Sequence, residues 1–323
     1  MIPQTTVETA LNSRCSSGGG HWGVFDESSP PSPEQLALVK RAAEGIPRFT
    51  CGRLFVDLEG EWFTLAVEPG AGEGTHVESG MQQQAIYLAC AALGLGTCIH
   101  NVGVDGRLEG DRHLTARMIV RGLRPPYDGS FWTRSRPSGR KAWLSGNLPD
   151  PDTAGGTPLF EAVERASTSA RGRAAGTREI SQLLWAARGR TPHLYRGREW
   201  GMTIPTWAGG QNYTSIHLLR EDGLYRYVNW DEAVDRPTHR IERIGDATVG
   251  AVRPSCRAVL ILGANEEQFR HHVVGEEDVG RFPPDAFPLL FRCLAGVFSE
   301  GDRKSPPRTA LVMFLELVQG RKL

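Results

Sequence analysis

The sequence predicts an α+β protein built as a tandem, in which each half is an antiparallel-rich sheet flanked by helices. Three observations carry this reading. Two hairpin signals, Glu59-Gly60 and Glu221-Asp222-Gly223, each sit between β-rich runs. A stretch rich in Pro, Gly, Ser and Asp separates them over residues 124 to 157. On either side the same order recurs: an opening helix, a second helix after Ser-Pro-Glu or Thr-Arg-Glu, a hairpin and an apolar helix. The expected units are therefore 1–125, a crossing segment 126–157, and 158–323.

In the first half, SPEQLALVKRAAE (32 to 44) begins as a capped helix, with Ser32 at the N-cap, Pro33 in the first turn and Gln35 at the third position. Leu36, Val39 and Ala43 then recur at helical spacing. RLFVDLEGEWFTLAV (53 to 67) reads as two strands around Glu59-Gly60. A nearly apolar helix is predicted from 79 to 93, buried around most of its circumference and ended by Gly94-Leu95-Gly96. ARMIVRGL (116 to 123) follows as a short strand.

The crossing segment contains RPPYDGS and LPDPDTAGGTP, but Trp132 and Trp143 argue that part of it packs. PLFEAVERA (158 to 166) and REISQLLWAARG (178 to 189) read as helices, the second with Ile180, Leu183, Leu184 and Ala187 on one side. YTSIHLL (213 to 219) and LYRYV (224 to 228) form the second hairpin, and RAVLILGA (257 to 264) is a core strand. AFPLLFRCLAGVF (286 to 298) reads as a helix, whereas TALVMFLELVQ (309 to 319) fits a buried helix or a strand.

Lys plus Arg and Asp plus Glu each total 37, so no global field draws this chain to nucleic acid or to anionic lipid. A small molecule or another protein surface is the expected partner. The six cysteines show no Cys-x-x-Cys pair or zinc spacing, and no His-Glu-x-x-His motif occurs. Free thiols, no metal, no membrane span and a cytoplasmic location are expected, because MIPQTTVETALNSRC lacks a signal-peptide pattern and no apolar run reaches about 18 residues. Neither a Gly-x-Ser-x-Gly elbow nor a dinucleotide fingerprint is present.

Two motifs bear on chemistry. The turn Gly94-Leu95-Gly96 is either a helix stop or a place where backbone approaches a flat ligand. Pro205-Thr206-Trp207-Ala208-Gly209-Gly210-Gln211 joins a rigid Pro, a large aromatic and two glycines, an unusual composition for a mere connection.

EISQLLWAARG (179 to 189), the Pro205–Gln211 loop, the Gly223-Leu224-Tyr225-Arg226-Tyr227 hairpin and Ala-Leu-Gly-Leu-Gly-Thr (92 to 97) together resemble the nitroreductase-like flavoproteins, nearest to the azoline dehydrogenases of the SagB type. That resemblance implies two nitroreductase-like domains in tandem, forming within one chain the pseudo-dimer that usually takes two, with FMN between the halves. It further implies that Arg14 and Ser16 hold the phosphate, with Arg121 or Arg124 as a late basic residue. Gly94, Leu95, Gly96 and Gln84 would lie by the flavin ring, and Pro205, Thr206, Trp207, Gly209 and Gln211 would come from the second half. Tyr225, Tyr227 and His100 are the candidate proton donors or acceptors.

The departures matter as much. The second half has Arg165 and Ser167 but no Gly-x-Gly turn, while the first has Phe49-Thr50-Cys51-Gly52 in place of the Pro-Ser loop. One FMN per chain is therefore expected. The Lys-Tyr pair of the SagB-type branch has no clear counterpart. The implied activity is FMN-dependent dehydrogenation or reduction of a small organic or peptide-derived substrate in a biosynthetic pathway; the alternatives are an inactive flavin-binding or scaffold protein, or one without flavin. A higher oligomer is compatible with either.

Overall fold

The computed structural model describes residues 2–14, 25–48, 50–99, 108–123, 132–133, 143–166, 176–195, 201–204, 214–248 and 258–264. In chain order the elements are α1 (Val7–Ser13), β1 (Phe25–Asp26), α2 (Pro33–Glu44), β2 (Leu54–Glu59), β3 (Trp62–Val67), α3 (Glu73–Leu93), β4 (Gly96–Ile99), β5 (Leu108–Glu109) and β6 (Arg112–Leu123). There follow β7 (Trp132–Thr133), β8 (Leu144–Ser145), α4 (Leu159–Ala166), α5 (Thr177–Arg188), β9 (Leu194–Tyr195), β10 (Thr214–Arg220), β11 (Gly223–Asp231), β12 (Arg236–Gly245) and β13 (Ala258–Ala264).

Among the described residues the strands form two main sheets, one of order β1-β6-β3-β2 with β4 and β5 also on β6, the other β13-β10-β11-β12-β8. Every pairing is antiparallel except β8 with β12. The protein is thus α+β with antiparallel-rich sheets, the fold class expected from its hairpin and helix signals.

Local chemistry explains the elements the sequence announces. Ser32 and Gln35 close a capping box at the start of α2, and Gly60 turns β2 into β3 at φ 57° with Glu59 opposite Trp62. The central helix begins at Glu73, ahead of the predicted start at 79. Its extra turns carry Thr75, His76 and Glu78, polar residues that read as lying before the helix but are buried with partners: Glu78 accepts from Thr50, and Thr75 shares a hydrogen bond with the Thr50 hydroxyl. Strand β6 likewise starts before the predicted position, at Arg112. The sequence reading gives no strand at β12 because RPTHRIERIG lacks apolar alternation; ion pairs from Arg226 to Glu242 and from Arg240 to Asp231 hold it against β11.

Helix α3 lies against the first sheet, placing Ile86, Leu88 and Ala89 with Phe63 and Leu65 of β3 and Met118 of β6 in one core. Helix α5 serves two cores. Its Trp185 and Ala186 enter that first core, whereas Leu183, Leu184 and Ala187 pack with Ile216, Leu218, Ile241 and Leu260 of the second sheet. Residues 143–157 are packed: Trp143 sits 6.5 Å from Trp185, and Asp152 exchanges two hydrogen bonds with Gln182. Next to them, the Leu159 N–H donates to the Thr5 carbonyl at 2.9 Å. Among the described residues no helix is long and apolar enough to cross a membrane, and no group of three His, Cys, Asp or Glu could hold a metal. The predicted elements at 286 to 298 and 309 to 319 lie outside the described residues.

Candidate functional site

Arg14 stands at the C-terminal end of α1, where the helix gives way to extended backbone. Its side chain is buried and reaches a segment far along the chain, donating from Nε to the Thr203 carbonyl at 3.1 Å and from Nη2 to Met202 at 2.6 Å and Ile204 at 3.4 Å. Gln84 reaches the same place from α3, its Nε2 donating to the Thr203 carbonyl at 3.0 Å. Tyr87, one turn further along the same helix face, lies under the Arg14 guanidinium at 5.3 Å.

The segment receiving these bonds is held equally firmly from its own side. Thr203 donates its N–H to Gly189 and its hydroxyl to Trp185, both at 3.0 Å, while Arg190 bridges Met202 and the Thr191 N–H donates to Gly201. Residues 189–193 and 201–203 therefore form a narrow antiparallel ribbon leaving the end of α5. Gly201 has to be glycine there, since a Cβ would stand 2.4 Å from the Thr191 hydroxyl. The ribbon ends at Ile204, directly before Pro205.

The turn closing α3 is a helix stop. Gly94 has φ 69°, its N–H donates to Ala91, and the Leu95 N–H donates to Cys90. Gly96 is already paired in β4 with Arg121. Both N–H groups of the turn proper are thus used within the helix end. Arg121 has other partners as well: its guanidinium donates to Glu61 at 2.7 Å and to Glu27 at 3.1 Å.

The two candidate tyrosines lie on β11. Tyr225 is at the margin of the second core, 5.8 Å from the Arg220 guanidinium. Tyr227 is buried, and its hydroxyl is 2.8 Å from His239 Nδ1. His239 Nε2 is 2.7 Å from the Ser181 hydroxyl, which donates to the Pro149 carbonyl. Since Ser181 uses its proton on Pro149, Nε2 must donate to Ser181 and Nδ1 must accept from Tyr227. Burial pushes the Tyr227 phenol well above its ordinary range and pushes His239 down to about 4, so both are neutral at pH 7. This chain of hydrogen bonds lies in the buried interior around the second sheet.

Of the predicted site residues, the structure brings Arg14 and Gln84 together with the lead-in to the Pro205 loop. Gly94, Leu95, Gly96, Arg121, Tyr225 and Tyr227 have the placements given above. Ser16, His100, Arg124, Pro205, Thr206, Trp207, Gly209 and Gln211 lie outside the described residues. Sequence reasoning passed over Tyr87, hidden in an apolar run.

No protein-family profile matches the chain, and no curated protein does. Among solved structures it is similar to a protein from Ralstonia eutropha JMP134 assigned as a nitroreductase, at 21% identity and TM-score 0.34, over 54% of this chain and 70% of that one. A nitroreductase with bound FMN from Desulfitobacterium hafniense DCB-2 aligns at 14% identity and TM-score 0.30, over 40% and 96%. A third, from Thermotoga maritima MSB8 and also assigned as a nitroreductase, aligns at 18% and 0.28, over 42% and 56%. Superpositions this loose carry no functional argument, so what the Arg14 contact does is decided by its own residues.

Proposed function

We propose that the chain is an FMN-dependent oxidoreductase of nitroreductase-like type, acting as a dehydrogenase or reductase on a small organic or peptide-derived substrate in a biosynthetic pathway. One observation carries the reading. Arg14, assigned from sequence to one wall of the site, and Gln84 grip Met202, Thr203 and Ile204, the residues that directly precede the loop assigned to the other wall.

The residues at the Arg14 contact fit a planar, oxygen-rich anion. Oε1 of Gln84 is buried and meets no hydrogen-bond partner among the described residues, beside a buried guanidinium and the Tyr87 ring. FMN, when bound, supplies hydride exchange at its N5. The chain's part is to hold the flavin: Arg14 contributes positive charge, Gln84 a side-chain amide, and the loop from Pro205 to Gln211 the second wall. With Arg121 taken by Glu61 and Glu27, Arg124 is the stronger choice for a late phosphate contact. A ring contact at the Gly94 turn has to use carbonyls or Gly96, since the other N–H groups are spent.

The contacts around Thr50 support a single flavin per chain. Thr50 gives both its N–H and its hydroxyl to the buried carboxylate of Glu78, and Arg48 completes the knot at 2.9 Å. Such a closed loop presents few free donors to a second flavin. The reading places the pseudo-dimer within one polypeptide, in the cytoplasm.

The test is an absorption spectrum of the purified protein with mass analysis of whatever denaturation releases, followed by titration of apoprotein with FMN. A visible flavin band, FMN in the supernatant and saturation at one equivalent are expected. Colourless protein whose apo form takes up no FMN ends the reading, and saturation at two equivalents ends its one-site form.

A further inference from the structure

Helix α3 carries Gln82-Gln83-Gln84 inside the protein, with 2%, 3% and 5% of their surface exposed. Adjacent glutamines buried so deeply are costly unless their amides are answered. Each has an atom that meets no hydrogen-bond partner among the described residues: Oε1 of Gln82, Nε2 of Gln83 and Oε1 of Gln84.

Helical spacing separates the run into two faces. Gln82 stands three residues after Ser79, whose hydroxyl bonds that of Thr115 on β6, so it shares the face turned to the first sheet. Gln83 and Gln84 stand four and three residues before Tyr87, whose ring lies 5.3 Å from the Arg14 guanidinium. These two belong to the helix face that meets Arg14.

Chemistry fixes which way the Gln84 amide points. The Thr203 carbonyl can only accept, so the bond at 3.0 Å commits Nε2 of Gln84 to it and leaves Oε1, an acceptor, as the open end. Arg14 donates to the same carbonyl at 3.1 Å and holds that anchor point in place. What Gln84 lacks is a donor; what Gln83 lacks, at Nε2, is an acceptor.

An N–H beside a carbonyl supplies both. The pyrimidine edge of the oxidised isoalloxazine ring has that order, with N3–H as its one N–H donor between the carbonyls at C2 and C4. We propose that Gln84 reads the N3–H of the flavin and Gln83 an adjacent carbonyl, so that this pair sets the preference of the site for an imide-edged ring. The inference rests on the flavin reading.

The experiment compares, by flavin fluorescence, the affinity of the full chain stripped of cofactor for FMN and for 3-methyl-FMN, in which a methyl group replaces the N3 proton. Wild type is expected to bind 3-methyl-FMN on the order of tenfold more weakly than FMN. In Q84M the affinity for FMN is expected to fall by a similar factor, and the preference to collapse to about twofold or less. Q83M is expected to weaken both flavins together and to keep the preference, because the carbonyl is common to both. Q82M, altered on the face turned to the sheet, is expected to match wild type. Where Q84M does not fold, wild type and Q83M still decide. Equal affinity for the two flavins in wild type, an undiminished preference in Q84M, or unchanged FMN affinity in Q83M overturns the inference and leaves the flavin reading standing. No uptake of FMN by wild-type apoprotein overturns both.

Discussion

Nη2 of Arg14 donates to the carbonyl of Met202 at 2.6 Å, tying the end of the first helix to a ribbon that lies 188 positions further along the chain. Three carbonyls of that ribbon accept from one guanidinium, and Gln84 shares the middle one. The contact is therefore organised by side chains from α1 and α3 and a backbone from residues 202–204.

Replacing Arg14 by Met strands these buried carbonyls without their charged donor. A loss of about 2–4 kcal/mol is expected in urea denaturation, with Arg14→Lys retaining part of it because one point donor cannot serve three acceptors. If the guanidinium were a surface ornament, both variants would unfold at the wild-type midpoint.

The Tyr227–His239–Ser181 chain makes stability depend on pH. His239 has a folded pKa of about 4 against an ordinary 6.5, because burial disfavours the imidazolium and outweighs the nearby Asp150. A depressed base is protonated more readily when unfolded, so its contribution is complete above about pH 6.5 and is lost as pH falls toward 4. On the order of 2–3 kcal/mol should disappear across that window. In His239→Gln this part of the slope should flatten, measurable by denaturant titration at a series of pH values.

Glu78 is fully buried and accepts from the Thr50 N–H at 2.8 Å, from the Thr50 hydroxyl at 2.6 Å and from Arg48 at 2.9 Å. Glu78→Gln keeps the shape but replaces one acceptor oxygen with a donor facing donors. A destabilisation of about 2–4 kcal/mol is expected, together with faster proteolysis at residues 48 to 52. Equal stability and cleavage rates would mean that the carboxylate does not organise this loop.

Two glycines separate backbone conformation from crowding. Gly94 has φ 69° and open space where a Cβ would lie, so Gly94→Ala should cost about 1 kcal/mol, from the left-handed backbone alone. At Gly201 the added carbon would overlap the Thr191 hydroxyl and the His193 side chain, and a cost of about 1–3 kcal/mol with disturbed geometry at the Arg14 contact is expected. Thermal melts of the two variants decide the order.

Local signals proved legible where the chain's own chemistry dictates them. Ser32 with Gln35 announced α2, Gly60 announced the first hairpin, and the run from Ala85 to Leu93 announced a central helix. The start of α3 was hidden because Thr75 and Glu78 look like loop residues until Thr50 and Arg48 arrive from elsewhere to satisfy them. Strand β12 was hidden for the related reason that its ion pairs are made across strands.

Alone, the amino-acid order determined the capped helix α2, the central helix and the hairpins, because capping, periodicity and turn conformation act over a few neighbouring residues, while the candidacy of Arg14 and Gln84 was what the resemblance implied. Only the tertiary structure decided which carbonyls Arg14 grips, that Arg121 belongs to Glu61 and Glu27, and that Tyr227 serves His239. Those outcomes depend on groups separated by tens to hundreds of residues, and a hydrogen bond or an ion pair is specified by distance in space, which no local pattern encodes.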